Sequence, residues 1–135
     1  MGTSTDGILV FGFDIGVEDE QPLENILGEG EEFDDFIADE AGIEQWSENV
    51  SADYWQRRKI AIKSCPVELV THCSYNYPMY ILAVRGTQLT ASRGYPEEVI
   101  SLHVDQEKID SAKNWCETHG IEWQEPKWLL CSLWG

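Results

Sequence analysis

Four cysteines and three histidines are the side chains of this 135-residue chain best suited to metal or nucleophilic chemistry. Cys116 and His119 stand three residues apart, a spacing that on a helix places a thiol and an imidazole on one face, and both are common zinc ligands. His72 and Cys73 are adjacent in a β-prone stretch, where neighbouring side chains point to opposite faces of a sheet. They therefore form neither a simple zinc pair nor a catalytic dyad, and no CxxC motif occurs. We predict no metal and no cofactor.

Catalytic motifs are also missing from the sequence, which has no nucleophile elbow, P-loop, dinucleotide fingerprint or kinase motif. We therefore expect a protein that is not an enzyme, with thiol catalysis through Cys73 or Cys116 as the alternative. Residues Met1–Ile15 lack the basic and long apolar regions of a signal peptide. This predicts reduced thiols and a cytoplasmic protein. The apolar runs fall far short of the ~20 residues of a membrane-spanning helix.

The acidic side chains give the strongest signal, because 25 acids and 9 bases produce a net charge of −16. Residues 1–53 contain 16 of the acids and no Lys or Arg, whereas residues 54–135 contain nine acids and nine bases. This average field repels phosphate, which argues against direct binding of nucleic acid or of an anionic membrane. We predict one domain over residues 1–135, with residues 17–53 forming an acidic insertion.

The acids are densest between residues 29 and 44, and we predict that they bind a protein partner. The predicted site consists of Glu29, Glu31, Glu32, Asp34, Asp35, Asp39, Glu40 and Glu44. As a single helix this segment would span about 24 Å, or one charge per about 3 Å, against one phosphate per about 3.4 Å of a DNA strand. A basic groove built for nucleic acid would attract such a surface, and Phe33, Phe36 and Trp46 are candidate anchors beside it if they are exposed.

Two other interpretations of the acidic segment remain open at this point. In the first, the basic run that begins at Arg57 and continues through Arg58, Lys59 and Lys63 folds back and neutralises part of the charge. In the second, the acids form a solvated face that aids solubility. In both, the charge has no dedicated partner.

Hydrophobic patterning predicts which elements position these residues. The predicted elements are a strand over Gly7–Gly16 that is buried on both faces, helices over Glu31–Ala41 and Ser47–Arg58, a three-stranded antiparallel meander over Val67–Ser74, Met79–Val84 and Thr87–Ala91, a helix from Val104–Asp105 to His119, and a strand over Trp128–Trp134. The fold class is therefore α+β, a mainly antiparallel sheet packed against one main helix, with an acidic and partly helical lobe.

The first helix of the acidic segment turns Phe33, Phe36 and Ile37 toward one side. Asp39 and Glu40 lie near its C-terminal end, where the helix dipole disfavours anions. This helix therefore depends on docking through Phe33 and Phe36, or on something external, rather than on its own stability.

The second helix of the segment is expected to bury Val50, Tyr54 and Trp55. Gly42 and Gly120 are predicted to end the helices that precede them, because glycine readily adopts the left-handed conformation found after a helix.

Two stretches, Thr71–Val84 and Thr90–Pro96, resemble small proteins of unknown function encoded in phage and prophage genomes, and Ser4–Gly12 resembles their N-terminus. The resemblance covers about half of the chain and brings no established activity or catalytic residue. It implies a role on host machinery, because several anti-CRISPR and anti-restriction proteins act as nucleic-acid mimics.

Taken together, these observations predict a phage-type interaction protein without enzymatic activity. It would inhibit a nucleic-acid-binding defence protein of the host by occupying its basic surface, with no direct contact to nucleic acid or membrane. The alternatives are a small cysteine-dependent enzyme and a phage accessory or structural protein without an inhibitory role.

Overall fold

A computed structural model of the protein describes residues 5–17, 23, 27 and 32–134. These residues form an α+β fold of five strands and three helices. The predicted single main helix is therefore not the only helix that accompanies the sheet. The elements in chain order are β1 (Thr5–Val17), α1 (Phe33–Glu40), α2 (Tyr54–Lys63), β2 (Val67–Ser74), β3 (Pro78–Val84), β4 (Leu89–Ser92), α3 (Gln106–Thr118) and β5 (Lys127–Trp134).

The longest strand, β1, organises the sheet because it pairs along both of its edges. Residues 5–12 pair with β5 on one edge, while residues 6–9 pair with β4 and residues 12–17 with β3 on the other, all antiparallel. β2 pairs antiparallel with β3 and, at Cys73 and Ser74, parallel with the end of β5. The sheet is therefore mixed, and β1, β3, β2 and β5 form a closed ring of four strands.

The predicted three-stranded meander is wrong in its last strand, because β4 pairs with β1. Arg85 and Gly86 do not turn the chain back, and β3 and β4 instead lie one beyond the other along β1. Between them, the Phe11 N–H donates to Thr87 Oγ1 at 3.2 Å, and the Thr87 hydroxyl donates to the Val84 carbonyl at 2.8 Å. Thr87 thus supplies β1 with a hydrogen bond where the two strands separate.

Alternate side chains of β1 enter two different hydrophobic cores. The first core, within the ring of strands, contains Ile8, Val10, Val70, Ile81 and Ala83. The second lies between the sheet and the helices, and β1 contributes Phe13 and Ile15 to it. The predicted burial of this strand on both faces is confirmed only in part, because Phe13 and Ile15 are buried on the outer face whereas Leu9 is only partly buried there.

The helix α3 matches the sequence-based expectation closely and buries Ala112 and Cys116 against the sheet. It ends as predicted at Gly120, whose φ is +73°, and the Ile121 N–H donates to the Cys116 carbonyl at 2.8 Å. This pattern satisfies carbonyls that the end of the helix would otherwise leave without partners. None of the helices in the described part of the chain is long and apolar enough to cross a membrane.

Candidate protein-binding cleft

The acidic helix α1 is half as long as the segment of dense charge. It covers Phe33–Glu40, so the single 16-residue helix considered for residues 29–44 is not formed. Gly42, with a φ of +80°, ends it as predicted, and the Ile43 N–H donates to the Ala38 carbonyl at 3.0 Å. This turn reverses the chain and directs Glu44 toward α2.

α1 is held by aromatic contacts with α3, as its weak intrinsic stability required. Phe33 is only 5% exposed, and its ring lies edge-on to Trp115 with centroids 5.8 Å apart. Phe36 meets His119 in the same way at 6.0 Å, and Nε2 of His119 lies 2.7 Å from a carboxylate oxygen of Glu40. Phe33 is therefore part of the core, as expected for docking of this helix, and it does not meet the condition of exposure under which it would anchor a partner.

α2 begins at Tyr54, seven residues later than predicted. Ser and Asp side chains bond to nearby groups in residues 47–53: Ser47 Oγ accepts the Asn49 N–H at 3.3 Å, and the Ser51 hydroxyl donates to Asp53 at 2.5 Å. Such local bonds compete with helix formation. Tyr54 is buried as expected, but Trp55 is 61% exposed, so its predicted burial is wrong. The late start of the helix leaves Trp55 facing solvent.

Part of the basic run on α2 does fold back onto the acids. Arg57 donates to Glu44 at 2.5 Å and to Asp53 at 3.2 Å, and Arg58 donates to Asp35 at 2.6 Å. The hydrogen bond from Arg57 holds the pKa of Glu44 below its ordinary value. Internal neutralisation therefore accounts for some of the predicted site residues.

Three of the predicted site residues remain exposed without such a partner. Within the described residues, no cationic group lies within ion-pair distance of Glu32, Asp34 or Asp39. Glu29 and Glu31 lie outside the described residues. The eight predicted acids thus divide into three that are paired with Arg or His (Asp35, Glu40 and Glu44), three that have no such partner among the described residues, and two that lie outside those residues.

A cleft of about 650 Å³ lies between α1, the connection after it and α2. Its lining residues are Asp35, Ala38, Asp39, Ile43, Glu44, Gln45, Trp46, Tyr54, Trp55 and Arg58. Trp46 and Trp55 are 58% and 61% exposed, so two indole rings are presented beside three carboxylates. Trp46 was a candidate anchor on condition that it is exposed, which it is, whereas no signal in the sequence identified the cleft or the place of Trp55 in it.

The cysteines are all unpaired. Burial raises the pKa of Cys116 to about 12 and also raises the pKa of Cys65 and of Cys131. A catalytic thiol requires the opposite shift, because the thiolate is the nucleophile.

Cys73, the last residue but one of β2, has a φ of +73°, which breaks the simple alternation of strand side chains assumed for it. The neighbouring His72 has its Nε2 buried without a hydrogen-bond partner. Among the described residues, no three His, Cys, Asp or Glu side chains are grouped so that they could hold a metal ion.

Comparisons of the chain with protein-family models, with curated proteins and with solved structures returned no match.

Proposed function

We propose that the chain is a non-enzymatic interaction protein whose acidic lobe (residues 32–63, containing α1 and α2) binds a basic surface of another protein. The observation that carries the proposal is the cleft, in which exposed Trp46 and Trp55 stand beside Asp35, Asp39 and Glu44. A merely solubilising face has no need of exposed tryptophans, which expose apolar surface to water.

Arginine and lysine side chains of the partner are the groups that this cleft fits. A guanidinium forms two parallel hydrogen bonds with a carboxylate and also stacks on an aromatic face. Arg58 illustrates the fit from within the chain, since it lines the cleft and donates to Asp35. Tryptophan is among the residues that contribute most to interface affinity.

We further propose that the partner is a nucleic-acid-binding defence protein in the cytoplasm of a phage host. Glu32, Asp34 and Asp39, which have no cationic partner among the described residues, lie on α1 and at its N-terminal end. Their backbone positions span about 10 Å along the axis, roughly one charge per 5 Å, against one phosphate per about 3.4 Å of a DNA strand. With the net charge of −16, these acids support competition for a basic groove.

The test of the cleft is the affinity of the protein for a fluorescent arginine-rich peptide of about ten residues. We expect Trp46→Ala and Trp55→Ala each to weaken binding by about tenfold, because each removes about 1.4 kcal/mol or more of contact. Tyr77→Ala is the matched control, since Tyr77 is 79% exposed on the β2–β3 connection. If Trp46→Ala and Trp55→Ala bind the peptide as tightly as Tyr77→Ala and wild type do, the tryptophans do not contact the peptide.

Cysteine-dependent catalysis is the second candidate function, and thiol reactivity separates it from binding. Because Cys65 and Cys116 are buried and their pKa values are raised, we expect neither to react with iodoacetamide at pH 7 before the protein unfolds. Mass spectrometry of the alkylated peptides measures each site. Fast alkylation of one thiol in the native protein would instead favour the enzyme.

A further inference from the structure

The helices cover only part of the outer face of the sheet. Phe13 and Ile15 of β1 lie under them, but none of the helices in the described part of the chain contributes to a core over the other half of that face, toward Thr5. On the adjoining strand β5, Leu130 is 80% exposed and Trp134 is 52% exposed. Large apolar side chains exposed together on a sheet are typical of an interaction surface.

The strand register arranges this uncovered face in rows that cross three strands. Leu9 of β1 pairs with Leu130 of β5 and with Leu89 of β4, so three leucines form a ridge. The next row contains only small residues, because Gly7 pairs with Ser132 on one side and with Ala91 on the other. A ridge of leucines thus lies beside a groove that lacks large side chains.

We propose that this face, the leucine ridge with its neighbouring groove, is the interface with a second copy of the same chain. A two-fold axis would place the ridge of each copy in the groove of the other, which is the self-complementarity that such an interface requires. The two rows carry no charged side chain, although the chain has a net charge of −16. Two copies can therefore meet at these rows without bringing carboxylates together, whereas a basic partner would meet no carboxylate in them.

We propose that the connection between β4 and α3 enlarges the surface, because it lies beside Leu89. Ser101 lines the same depression as Leu89, and on either side of it Ile100 is 88% exposed and Leu102 is 51% exposed. The two rows together cover about 14 Å along the strands, at about 3.4 Å per residue, and about 14 Å across the three strands, at about 4.8 Å per strand. A stable dimer buries about 800 Å² per partner. The two rows are smaller than this area, so we expect Ile100 and Leu102 to be buried in the interface as well. The dimer is expected at micromolar concentrations.

Sedimentation velocity of the full chain tests the proposal. Concentrations between about 1 and 200 μM span micromolar affinities. We expect a monomer–dimer equilibrium that Leu130→Glu and Ile100→Glu each weaken at least about tenfold. Tyr77→Glu adds the same charge at an equally exposed site outside the face, 79% against 80%, and is expected to leave the equilibrium unchanged. Circular dichroism confirms that each variant is folded.

A monomeric wild type at the highest concentration would overturn the proposal, as would equal effects of Leu130→Glu and Tyr77→Glu. Salt separates this interface from the proposed function. Screening of the repulsion between two negative chains should strengthen the dimer as salt rises, whereas binding of a basic partner should weaken. Dimerisation that weakens with salt would mean that the copies meet through charged groups and not through this face.

Discussion

Arg57 links two carboxylates that lie on different parts of the acidic lobe. It donates to Glu44 and to Asp53, and its guanidinium lies 5.9 Å from the centre of the Tyr54 ring. Hydrogen bonds from Arg57 lower the pKa of Glu44, and bonds from Ser51 and Arg57 lower the pKa of Asp53. These exposed pairs shape the wall of the cleft more than they stabilise the fold.

The stability of the lobe is expected to depend on pH through this arginine. A carboxylate whose pKa is lower in the folded than in the unfolded chain stabilises the fold above its ordinary pKa, here 4.5 for Glu44 and 3.8 for Asp53. That contribution is lost as the pH falls through the folded value. Arg57→Gln should therefore lower the melting temperature at pH 7, and the difference from wild type should shrink toward pH 3. An equal difference at both pH values would contradict this origin.

Gly12 is paired on both edges of β1, with Lys127 of β5 on one side and with Ala83 of β3 on the other. A Cβ atom added there would lie 2.7 Å from the Cα of Ala83, closer than real side chains come. We expect Gly12→Ala to destabilise the protein by about 1–3 kcal/mol, as overpacking does. Urea unfolding measures the change.

Gly7→Ala on the same strand is the matched control for this prediction. The nearest atom to an added Cβ at Gly7 is the Ala91 carbonyl oxygen at 3.9 Å, an ordinary contact. Unfolding is compared at low protein concentration, where the chain is monomeric. Equal losses of stability in the two variants would mean that the close approach at Gly12 is not the cause.

At the scale of elements, His119 connects α1 to α3. Its Nδ1 lies 2.7 Å from the Trp115 carbonyl, and its Nε2 lies 2.7 Å from the Glu40 carboxylate. The ring also stacks on Trp115 at 4.0 Å. His119 thus contacts both helices and holds the acidic helix in place.

Removing this connection should loosen α1 without unfolding the sheet. For His119→Ala we expect amide hydrogen exchange in residues 33–40 to accelerate by about tenfold or more, since a hydrogen bond to a charged group contributes about 1.5–3 kcal/mol. Exchange in β1 should change little. Lys113→Ala, which removes an exposed pair with Glu117 at 4.0 Å, is the control. Uniform acceleration across the whole chain would show that His119 supports the global fold instead.

Elements with strong local signals were predicted well from the sequence. β2 has the predicted bounds of Val67–Ser74, and Gly42 and Gly120 follow the helices they were expected to end. These features depend on residue periodicity and on the backbone freedom of glycine, both of which are visible in a few consecutive residues.

Long-range contacts could not be predicted in the same way. β4 pairs with β1, about 80 residues away in the chain, although hairpin patterning favoured its neighbour β3. The cleft depends on where α2 begins, which side-chain bonds within residues 47–53 decide. Periodicity carries no information about either, so the exposure of Trp55 was missed.

At the scale of the whole molecule, α2 offsets part of the charge of the acidic segment. Residues 32–63 contain eight acids and four bases, a net charge of −4, because this range includes the basic run of α2. Arg57, Arg58 and His119 pair with Glu44, Asp35 and Glu40, so among the described acids of the predicted site the charge that remains for a partner lies on Glu32, Asp34 and Asp39. The molecule thus combines an acidic surface suited to a basic protein with an uncharged sheet face suited to a second copy of itself.

The central claim is that these particular carboxylates, and not the net charge, bind the partner. It is tested most directly by a salt titration of the affinity for the arginine-rich peptide, using two triple variants. Glu32, Asp34 and Asp39 are changed to Lys in one, and the exposed Glu107, Glu122 and Glu125 in the other. Each variant changes the net charge from −16 to −10.

We predict that wild-type affinity falls steeply between about 50 and 300 mM salt, as expected for screened charges. At low salt, the variant of the acidic lobe should bind at least about 30-fold more weakly, a loss of about 2 kcal/mol. The control variant should stay within about threefold of wild type. Equal losses in the two variants, or a wild-type affinity that does not change with salt, would contradict the account.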